Sequence, residues 1–448
     1  MKLASALTIL TVTAQAAVLK VPADFSTIQA AVEAAVENDT IHIAPGVYVE
    51  QVAISGKNLT LIGQHGTILR AFPDMGDTGY GYRTILFVED TPNLVLRGLS
   101  FEGDQLGDQQ PATHGMIGAY YRDSGGTVEN CRFTGIRESV PTNRKGMALV
   151  IFNDLPGAPL YDITVSGNVV ADSYRGIIVR GAPDKISLNC SIENNLVQGL
   201  GSEIPKVPNQ PMGIRVQEGT TGYVAGNTVS GFAYLGDDAE FPLNHGFGIV
   251  AIESNPEDGF APLDYFRFEN NVLSNNTTHM ALIGVDDHDA VGNRMEGTAP
   301  GALQAGIVFS GNDVNIEGNQ FQSMPLGILA LGNDPILGTF LGEAINAAVQ
   351  DNRFCEVDTL HEVQELASIN EVGTLTCPYP DPDLTIRPAT LLSWLQIEDG
   401  FVLEEALSPE GPWEEVSETQ FLQDGHHSVA VPLDGEEFFF RLISDPVD

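Results

Sequence analysis

Apolar and polar positions recur along this chain in one six-residue pattern: apolar, any residue, Gly/Asn/Asp, Asn, any residue, apolar. The clearest copy lies at 316–321, where Asn319 holds the fourth position. Further copies lie at 165–170, 192–197, 224–229, 268–273, 290–295 and 349–354, and Cys131 and Leu99 hold the Asn position in copies at 128–133 and 96–101. The shortest step is 22 residues, from Asn271 to Asn293. An irregular repeat with this minimum predicts a coiled solenoid.

A second pattern, Gly-apolar-any-apolar, follows most copies of the first. It occurs at 146–149, 176–179, 213–216, 248–251, 306–309 and 327–330. Alternation along a strand places Ile177 and Val179 inside the solenoid and Ile178, Arg180 and Arg215 outside it. Similar coils stacked at about 4.8 Å form parallel sheets, and the crossover rule makes the winding right-handed. The predicted fold is therefore all-β, a right-handed parallel β-helix.

The start of the chain predicts a cap for this solenoid, at about residues 18–55. Ser26 is expected to N-cap a helix that runs to about Val36, because Ile28, Ala31 and Val32 keep one apolar stripe. An uncovered end would expose both the core and an edge strand, so the capping helix has a physical purpose.

Composition divides the chain into four segments. Residues 1–16 resemble a secretory signal peptide, residues 17–376 hold the β-helix, residues 377–385 form a Pro- and Asp-rich linker, and residues 386–448 predict a small C-terminal β-sandwich. No later stretch is long and apolar enough to span a membrane. We expect a secreted, extracellular protein without membrane insertion, and attachment to the cell surface stays open.

The Asn positions are interpreted as structural. A side-chain amide at a tight turn satisfies backbone groups, and stacked amides bond one another. Long insertions fall elsewhere, at one corner of the coil (102–113, 134–145, 198–212 and 230–247) and at a second corner (152–162 and 254–266). Two walls of loops beside a flat sheet would form a groove, which is the predicted location of any site.

The net charge limits which partners the protein is expected to bind. The net charge of −39 repels nucleic acid and anionic lipid, so neither is an expected partner. A polyanionic substrate would need a local basic patch or bound calcium.

Export permits disulfides, and Cys355 and Cys377 are placed to close the end of the solenoid. Cys131 and Cys190 lie in coils that are not adjacent, so we expect buried thiols.

The stretches STIQAAVEAA, DTIHIAPGVYVEQVAI and LTLIG, within residues 26–63, resemble the opening of pectinesterases in the pectin-lyase-like β-helix superfamily. The resemblance covers about residues 18–100 and implies a β-helix whose first coil is closed by a helix. The family's catalytic Gln-Asp-Thr stretch is absent, since this chain has Ile-Arg-Glu-Ser at 136–139. Pectinesterase activity is therefore not expected.

The scarce basic residues give the candidate chemistry. Polysaccharide lyases need a base of near-neutral pKa and a positive group that stabilises the uronate as its enolate forms. Three consecutive coils place His114, Lys145 and Arg175 at one corner, with His245 nearby. We predict Lys145 or His245 as the base. The candidate neutralising groups are Arg175, Arg180 and Arg215, and the candidate substrate-binding residues are His114, Tyr174 and Tyr234, whose tyrosine rings would stack on sugars.

Other features leave alternatives open. Asp286, Asp287 and Asp289 form either a solvated turn or a calcium site, and no other cofactor is predicted. The basic residues could instead pair with the abundant acids. The expected function is a carbohydrate-active protein, with a polysaccharide lyase favoured over a glycoside hydrolase. The alternative is a non-catalytic surface, matrix or glycan-binding β-helix protein. The sequence does not indicate an oligomeric state.

Overall fold

The computed structural model describes residues 16–110, 115–139, 146–201, 211–233, 246–253, 262–297, 304–332, 344–364 and 366–377, together with the backbone of six strands between 389 and 444. The chain divides into two compact units, Met1–Tyr379 and Pro380–Asp448. Within the described residues no helix is long and apolar enough to cross a membrane. The signal-peptide prediction falls almost wholly outside the described residues.

The first unit is a parallel β-helix built from three ladders of stacked strands, numbered here in chain order. The first ladder contains β1 (Val18–Val21), β2 (Thr40–Ile43), β5 (Thr60–Gly63), β8 (Leu94–Arg97), β11 (Gly126–Glu129), β14 (Tyr161–Ser166), β17 (Leu188–Glu193), β20 (Thr220–Ala225), β23 (Phe266–Glu269), β26 (Asp289–Val291), β30 (Asn315–Glu317), β33 (Ala347–Gln350) and β35 (Ile369–Val372). All of its pairings are parallel.

The second ladder consists mainly of short strands that follow the Asn turn of each coil. It contains β3 (Gly46–Tyr48), β6 (Thr67–Arg70), β9 (Ser100–Glu102), β12 (Arg132–Thr134), β15 (Val169–Ala171), β18 (Leu196–Gln198), β21 (Thr228–Ser230), β24 (Val272–Ser274), β27 (Arg294–Glu296), β31 (Gln320–Ala330), β34 (Arg353–Val363) and β36 (Leu375–Thr376). Because β31 and β34 continue into the third ladder, these two ladders join into one sheet.

The third ladder carries the Gly-apolar pattern. It contains β4 (Val52–Ser55), β7 (Tyr82–Glu89), β10 (Gly115–Arg122), β13 (Gly146–Phe152), β16 (Arg175–Arg180), β19 (Met212–Gln217), β22 (Phe247–Ile252), β25 (Thr278–Ile283) and β28 (Ala305–Phe309), followed by β31 and β34. Beside the ladders lie a 3-10 helix (Gly107–Gln109) and one short parallel pair, β29 (Gly311–Asn312) with β32 (Ala344–Ile345).

The single α-helix of the described residues, α1 (Ile28–Ala34), packs on β1, β2 and β4 at the start of the solenoid. Ile28, Ala31 and Val32 are buried, as the apolar stripe predicts. The predicted N-cap is wrong by one residue. Thr27 caps the helix, because its hydroxyl accepts a hydrogen bond from the Ala30 N–H at 3.1 Å. The prediction that a helix covers the first coil of the solenoid is confirmed.

The Asn turns form the predicted ladder of amides. Asn227 is typical: its Nδ2 donates to Oδ1 of Asn271 at 3.0 Å and to the Ile192 carbonyl at 2.9 Å. Its own Oδ1 accepts from the backbone N and the Nδ2 of Asn195 at 3.0 and 2.9 Å. The residue before each Asn adopts a left-handed φ, as at Gly226 (63°), which explains the choice of Gly, Asn or Asp there.

Cysteines follow the sequence prediction. Cys355 and Cys377 form a disulfide, while Cys131 and Cys190 are buried free thiols. Cys131 occupies the Asn position of its coil, where its backbone N–H donates to Oδ1 of Asn168 at 2.8 Å.

The second unit holds two three-stranded antiparallel sheets. One orders its strands β37 (Ala389–Leu395), β41 (His426–Pro432), β40 (Phe421–Gln423), and the other β39 (Glu414–Glu415), β38 (Phe401–Ala406), β42 (Phe439–Ser444). This arrangement of strands fits a small β module.

Candidate functional site

The outer face of the third ladder is apolar and buried, which is unusual for the outside of a solenoid. Alternation holds as predicted: Ile177 and Val179 join the main core, whereas Ile178 joins a separate outer cluster. A second outer cluster lies further along the ladder and includes Val250 and Val308. The arginines on this face, Arg175, Arg180 and Arg215, are partly exposed beside these apolar clusters.

Arg215 lies between the two outer clusters. It is paired in register with Ile178 on one neighbouring strand and with Val250 on the other. Its Nη1 lies 4.0 Å from the Met212 sulfur, and its buried Nε has no hydrogen-bond partner among the described residues. Burial lowers the pKa of Arg215 to about 10. A partly buried guanidinium whose buried Nε donor is unfilled is suited to bind an anion.

Two further arginines surround Arg215. The positive charges of Arg175 and Arg180 contribute to the lowered pKa of Arg215, while Glu218 opposes them. Burial likewise lowers the pKa of Arg175, with Tyr82 opposing it. The third ladder thus brings together the three arginines that the sequence nominated, and they form a local group of positive charges in an acidic protein.

The other nominated residues are placed differently. Tyr174 is 1% exposed, so its ring is covered by protein and the stacking role has no support. Lys145, His245, His114 and Tyr234 lie outside the described residues, so their roles stay predictions.

A pocket of about 190 Å³ opens where the third-ladder strands end. We call this end of the ladder the carboxyl edge, and the pocket is lined by Asn153, Asp154, Arg180, Gly181, Pro183 and Glu218. Drug-sized ligands occupy pockets of about 300 Å³ or more, so this one fits a single sugar ring or one charged group. It contains both signs of charge.

Arg180 is held in the pocket by two contacts. Its guanidinium pairs with Asp154 and lies over the Phe152 ring, 4.4 Å from the ring centroid. Asp154 is itself fixed, because Oδ1 of Asp123 accepts its backbone N–H at 2.9 Å and Nε of Arg122 lies 3.6 Å from its Oδ2. This part of the pocket is pre-organised.

Two glutamates follow adjacent strands at the carboxyl edge. Glu218 follows β19 and is 3% exposed, and Glu253 follows β22 and is half-buried. The Leu263 N–H donates to Oε2 of Glu253 at 3.3 Å. Burial and, to a smaller extent, the negative charges of Asp286 and Glu218 raise the pKa of Glu253 to about 7, against the lowering effect of that hydrogen bond. A carboxyl group of this kind can exchange protons near neutral pH.

Asp154, Glu218 and Glu253 were not predicted as site residues from the sequence. A signal was present, because Glu218 and Glu253 immediately follow third-ladder strands and Asp154 follows one by two residues. In a chain with 60 acidic residues this spacing does not stand out until the strand ends are known.

The aspartate cluster has protein partners. Oδ1 of Asp286 accepts from the backbone N and the Nδ2 of Asn312 at 2.6 and 3.0 Å. Oδ2 of Asp289 accepts from the Tyr265 hydroxyl at 2.5 Å and lies 3.1 Å from Nη1 of Arg267. In the part of the chain that the structure describes, no group of three or more His, Cys, Asp or Glu side chains is arranged to hold a metal ion. Calcium binding at Asp286, Asp287 and Asp289 stays a prediction.

Residues 113–338 match the family described as "Right handed beta helix region". This chain belongs to that family. No curated protein sequence matches it. The family match covers about half of the chain, including β19 with Arg215 and the two glutamates that follow β19 and β22.

Three similar solved structures are all distant in sequence. An alginate lyase from Paenibacillus is 12% identical over 81% of this chain and 96% of that one, with a TM-score of 0.39. The A-module of a mannuronan C-5 epimerase from Azotobacter vinelandii is 12% identical over 79% and 96%, with a TM-score of 0.43. The Dettilon tailspike protein is 14% identical over 92% and 76%, with a TM-score of 0.42. These likenesses carry no argument about the activity of this chain.

Proposed function

We propose that this is a secreted, carbohydrate-active β-helix protein that cleaves an acidic polysaccharide by β-elimination on the outer face of its third ladder. Arg215 carries the proposal. A guanidinium enclosed by apolar neighbours, with an unfilled Nε donor, is costly unless an anion binds there. The carboxylate of a uronate residue has the planar geometry that a guanidinium recognises.

The surrounding groups suit this chemistry. β-Elimination removes the C5 proton of a uronate, and the enolate that forms places extra negative charge on the carboxylate. Arg175 and Arg180 add positive potential around Arg215, where that charge would develop. Low exposure on this face strengthens the electrostatic effect. Lys145 and His245, the bases proposed from sequence, precede the Gly-apolar stretches at 146–149 and 248–251, Lys145 directly and His245 by three residues.

A non-catalytic glycan-binding function is the second candidate. Arg180 favours it, because this arginine is already paired with Asp154. A site that only binds needs no proton-transfer group, so the two candidates differ in turnover and share the prediction of binding.

The test is incubation of the full-length protein with a panel of uronate polysaccharides, with and without calcium, while the ultraviolet absorbance of unsaturated products is followed. We expect product from at least one polymer, and we expect R215Q to abolish it. Arg267 provides a matched control, since R267Q removes an arginine from the first ladder, where it pairs with Glu269 and Asp289. Binding without product from any polymer would favour the second candidate.

A further inference from the structure

We propose that Glu253 is the base that removes the C5 proton of the bound uronate, with Glu218 beside it and Arg215 holding the carboxylate. This inference rests on the proposed function. It moves proton transfer from the start of the third-ladder strands, where sequence analysis placed Lys145 and His245, to the carboxyl edge.

Strand register places the two glutamates side by side. Gln217 of β19 pairs with Ile252 of β22, so Glu218 and Glu253 follow equivalent positions on adjacent strands. Adjacent parallel strands lie about 4.8 Å apart. Glu218 also lines the pocket that contains Arg180. Arg180, Glu218 and Glu253 therefore lie on or directly after three successive strands of the ladder, at the same edge.

The backbone around Glu253 is fixed on one side. The Gly219 N–H donates to the Pro262 carbonyl at 2.9 Å, and the Asp264 N–H donates to the Thr220 carbonyl at 2.9 Å. These bonds hold the Leu263 N–H where it reaches Oε2 of Glu253 at 3.3 Å. No other hydrogen bond to the Glu253 carboxyl group is found among the described residues, and the residue is partly exposed.

The charges that face Glu253 suit a base. Glu218 and Asp286 are the charged groups that act on it among the described residues, and both favour its protonated form. Together with burial they raise its pKa to about 7. A carboxylate with this pKa is a much stronger base than an ordinary one, yet it is half ionised at neutral pH.

The proposed step balances without a cofactor. Oε1 of Glu253 takes the proton from C5, the C5–H electron pair forms the C4–C5 double bond, and the bond from C4 to the glycosidic oxygen breaks. That oxygen takes a proton from water, and Glu253 returns its proton to solvent. No group is oxidised or reduced. Arg215 compensates the negative charge on the uronate carboxylate while the C5 proton is removed.

The two locations for the base cannot serve one sugar ring. β16, β19 and β22 each contain six residues, which span about 20 Å at about 3.3 Å per residue. Lys145 directly precedes Gly146 and His245 lies three residues before Gly248, the glycines that open the Gly-apolar stretches of their coils, whereas Glu253 follows the end of β22. Variants at the two ends therefore separate the alternatives.

The experiment compares wild type with E253Q, E253D, K145A and E269Q on the polymer that the wild type cleaves. We expect E253Q to lower kcat by about 10² to 10⁴-fold with little change in KM. The wild-type rate should rise with pH through about 7, and E253Q should lose that rise. E253D keeps the charge and should retain partial activity if E253Q fails to fold. E269Q, on the outer face of the first ladder, should match the wild type.

A second measurement separates the two levels of the proposal. Binding of the same polymer should survive in E253Q and weaken by about tenfold or more in R215Q. Wild-type kcat and pH profile in E253Q, or loss of activity in K145A alone, would overturn the role of Glu253 and leave the proposed function intact. Absence of polymer binding by the wild type would overturn both.

Discussion

Two rows of polar positions run along the same solenoid, and they behave in opposite ways. The amide ladder repeats one residue type at one corner, and its members are buried with partners for both ends of each amide. The row at the carboxyl edge changes residue at almost every coil, in the order Asp123, Asn153, Gly181, Glu218, Glu253, Gly284. Repetition marks the scaffold, and a break in repetition at a fixed register marks the candidate site.

The energetic consequences also differ. Each amide of the ladder exchanges water for several protein hydrogen bonds, so the ladder stabilises the coil stacking. Glu253 instead remains ionised at high pH in surroundings that disfavour its charge. A group that costs stability without improving packing is expected at a functional site.

The largest effect should come from breaking the ladder. N227A removes an amide that donates to Ile192 and Asn271 and accepts twice from Asn195, all of it buried. We expect a loss of about 3 kcal/mol in the free energy of unfolding, since buried polar partners are left unsatisfied. Urea unfolding of the purified protein measures this change.

Asn189 supplies the control for this variant. It lies on the outer face of the first ladder, where its Nδ2 donates to Oδ1 of Asp162 at 2.9 Å in solvent. N189A should cost less than about 0.5 kcal/mol. Equal losses of unfolding free energy in N189A and N227A would show that an amide of the ladder contributes no more to stability than an exposed one.

The contrast also explains what could be predicted from sequence. The ladder and its coil register were predictable, because the Asn and its left-handed neighbour follow from local backbone geometry and recur in every copy. Arg175, Arg180 and Arg215 were identified for a weaker reason, since basic residues are rare here. Glu218 and Glu253 were not found, because their relation depends on strand register across coils separated by a long insertion. The stacking role predicted for Tyr174 has no support in the structure, because an aromatic side chain next to a strand can be covered or open and the sequence pattern is the same for both.

The second prediction concerns the pH dependence of stability. Because the folded-state pKa of Glu253 is raised to about 7 from an ordinary value near 4.5, the native state binds this proton more tightly than the unfolded state. Its contribution is favourable below about pH 4.5 and is lost as pH rises through about 7. E253Q should therefore unfold with about 2 kcal/mol more stability than wild type at pH 8, a figure reduced from the full shift for partial exposure.

Thermal or urea unfolding of both proteins at pH 5 and pH 8 checks this difference. E193Q serves as the control, because Glu193 lies on the outer face of the first ladder and accepts from the Tyr223 hydroxyl at 2.8 Å. The prediction is contradicted if E253Q and wild type show the same change in stability between the two pH values.

The third prediction concerns binding at the basic patch. R215Q keeps a polar side chain of similar length but removes the guanidinium charge between the two outer clusters. Affinity for an acidic polysaccharide should fall by about tenfold or more, because a charge-assisted pair on a dry face is lost. Isothermal titration calorimetry at two salt concentrations measures it. A neutral polymer that binds as well as the acidic one would argue against uronate recognition.

The smallest effect should come from a substitution on the exposed face of the first ladder, which serves as the reference for R215Q on the third ladder. Arg267 there pairs with Glu269 at 2.6 Å and with Asp289 at 3.1 Å, but its side chain is 40% exposed. Solvent-exposed ion pairs contribute about 0 to 1 kcal/mol, and salt screens them. R267Q should change the free energy of unfolding by less than about 0.5 kcal/mol and leave polysaccharide binding unchanged. If R267Q instead weakened binding as much as R215Q, recognition would depend on total positive charge. The third ladder would then not be the binding face.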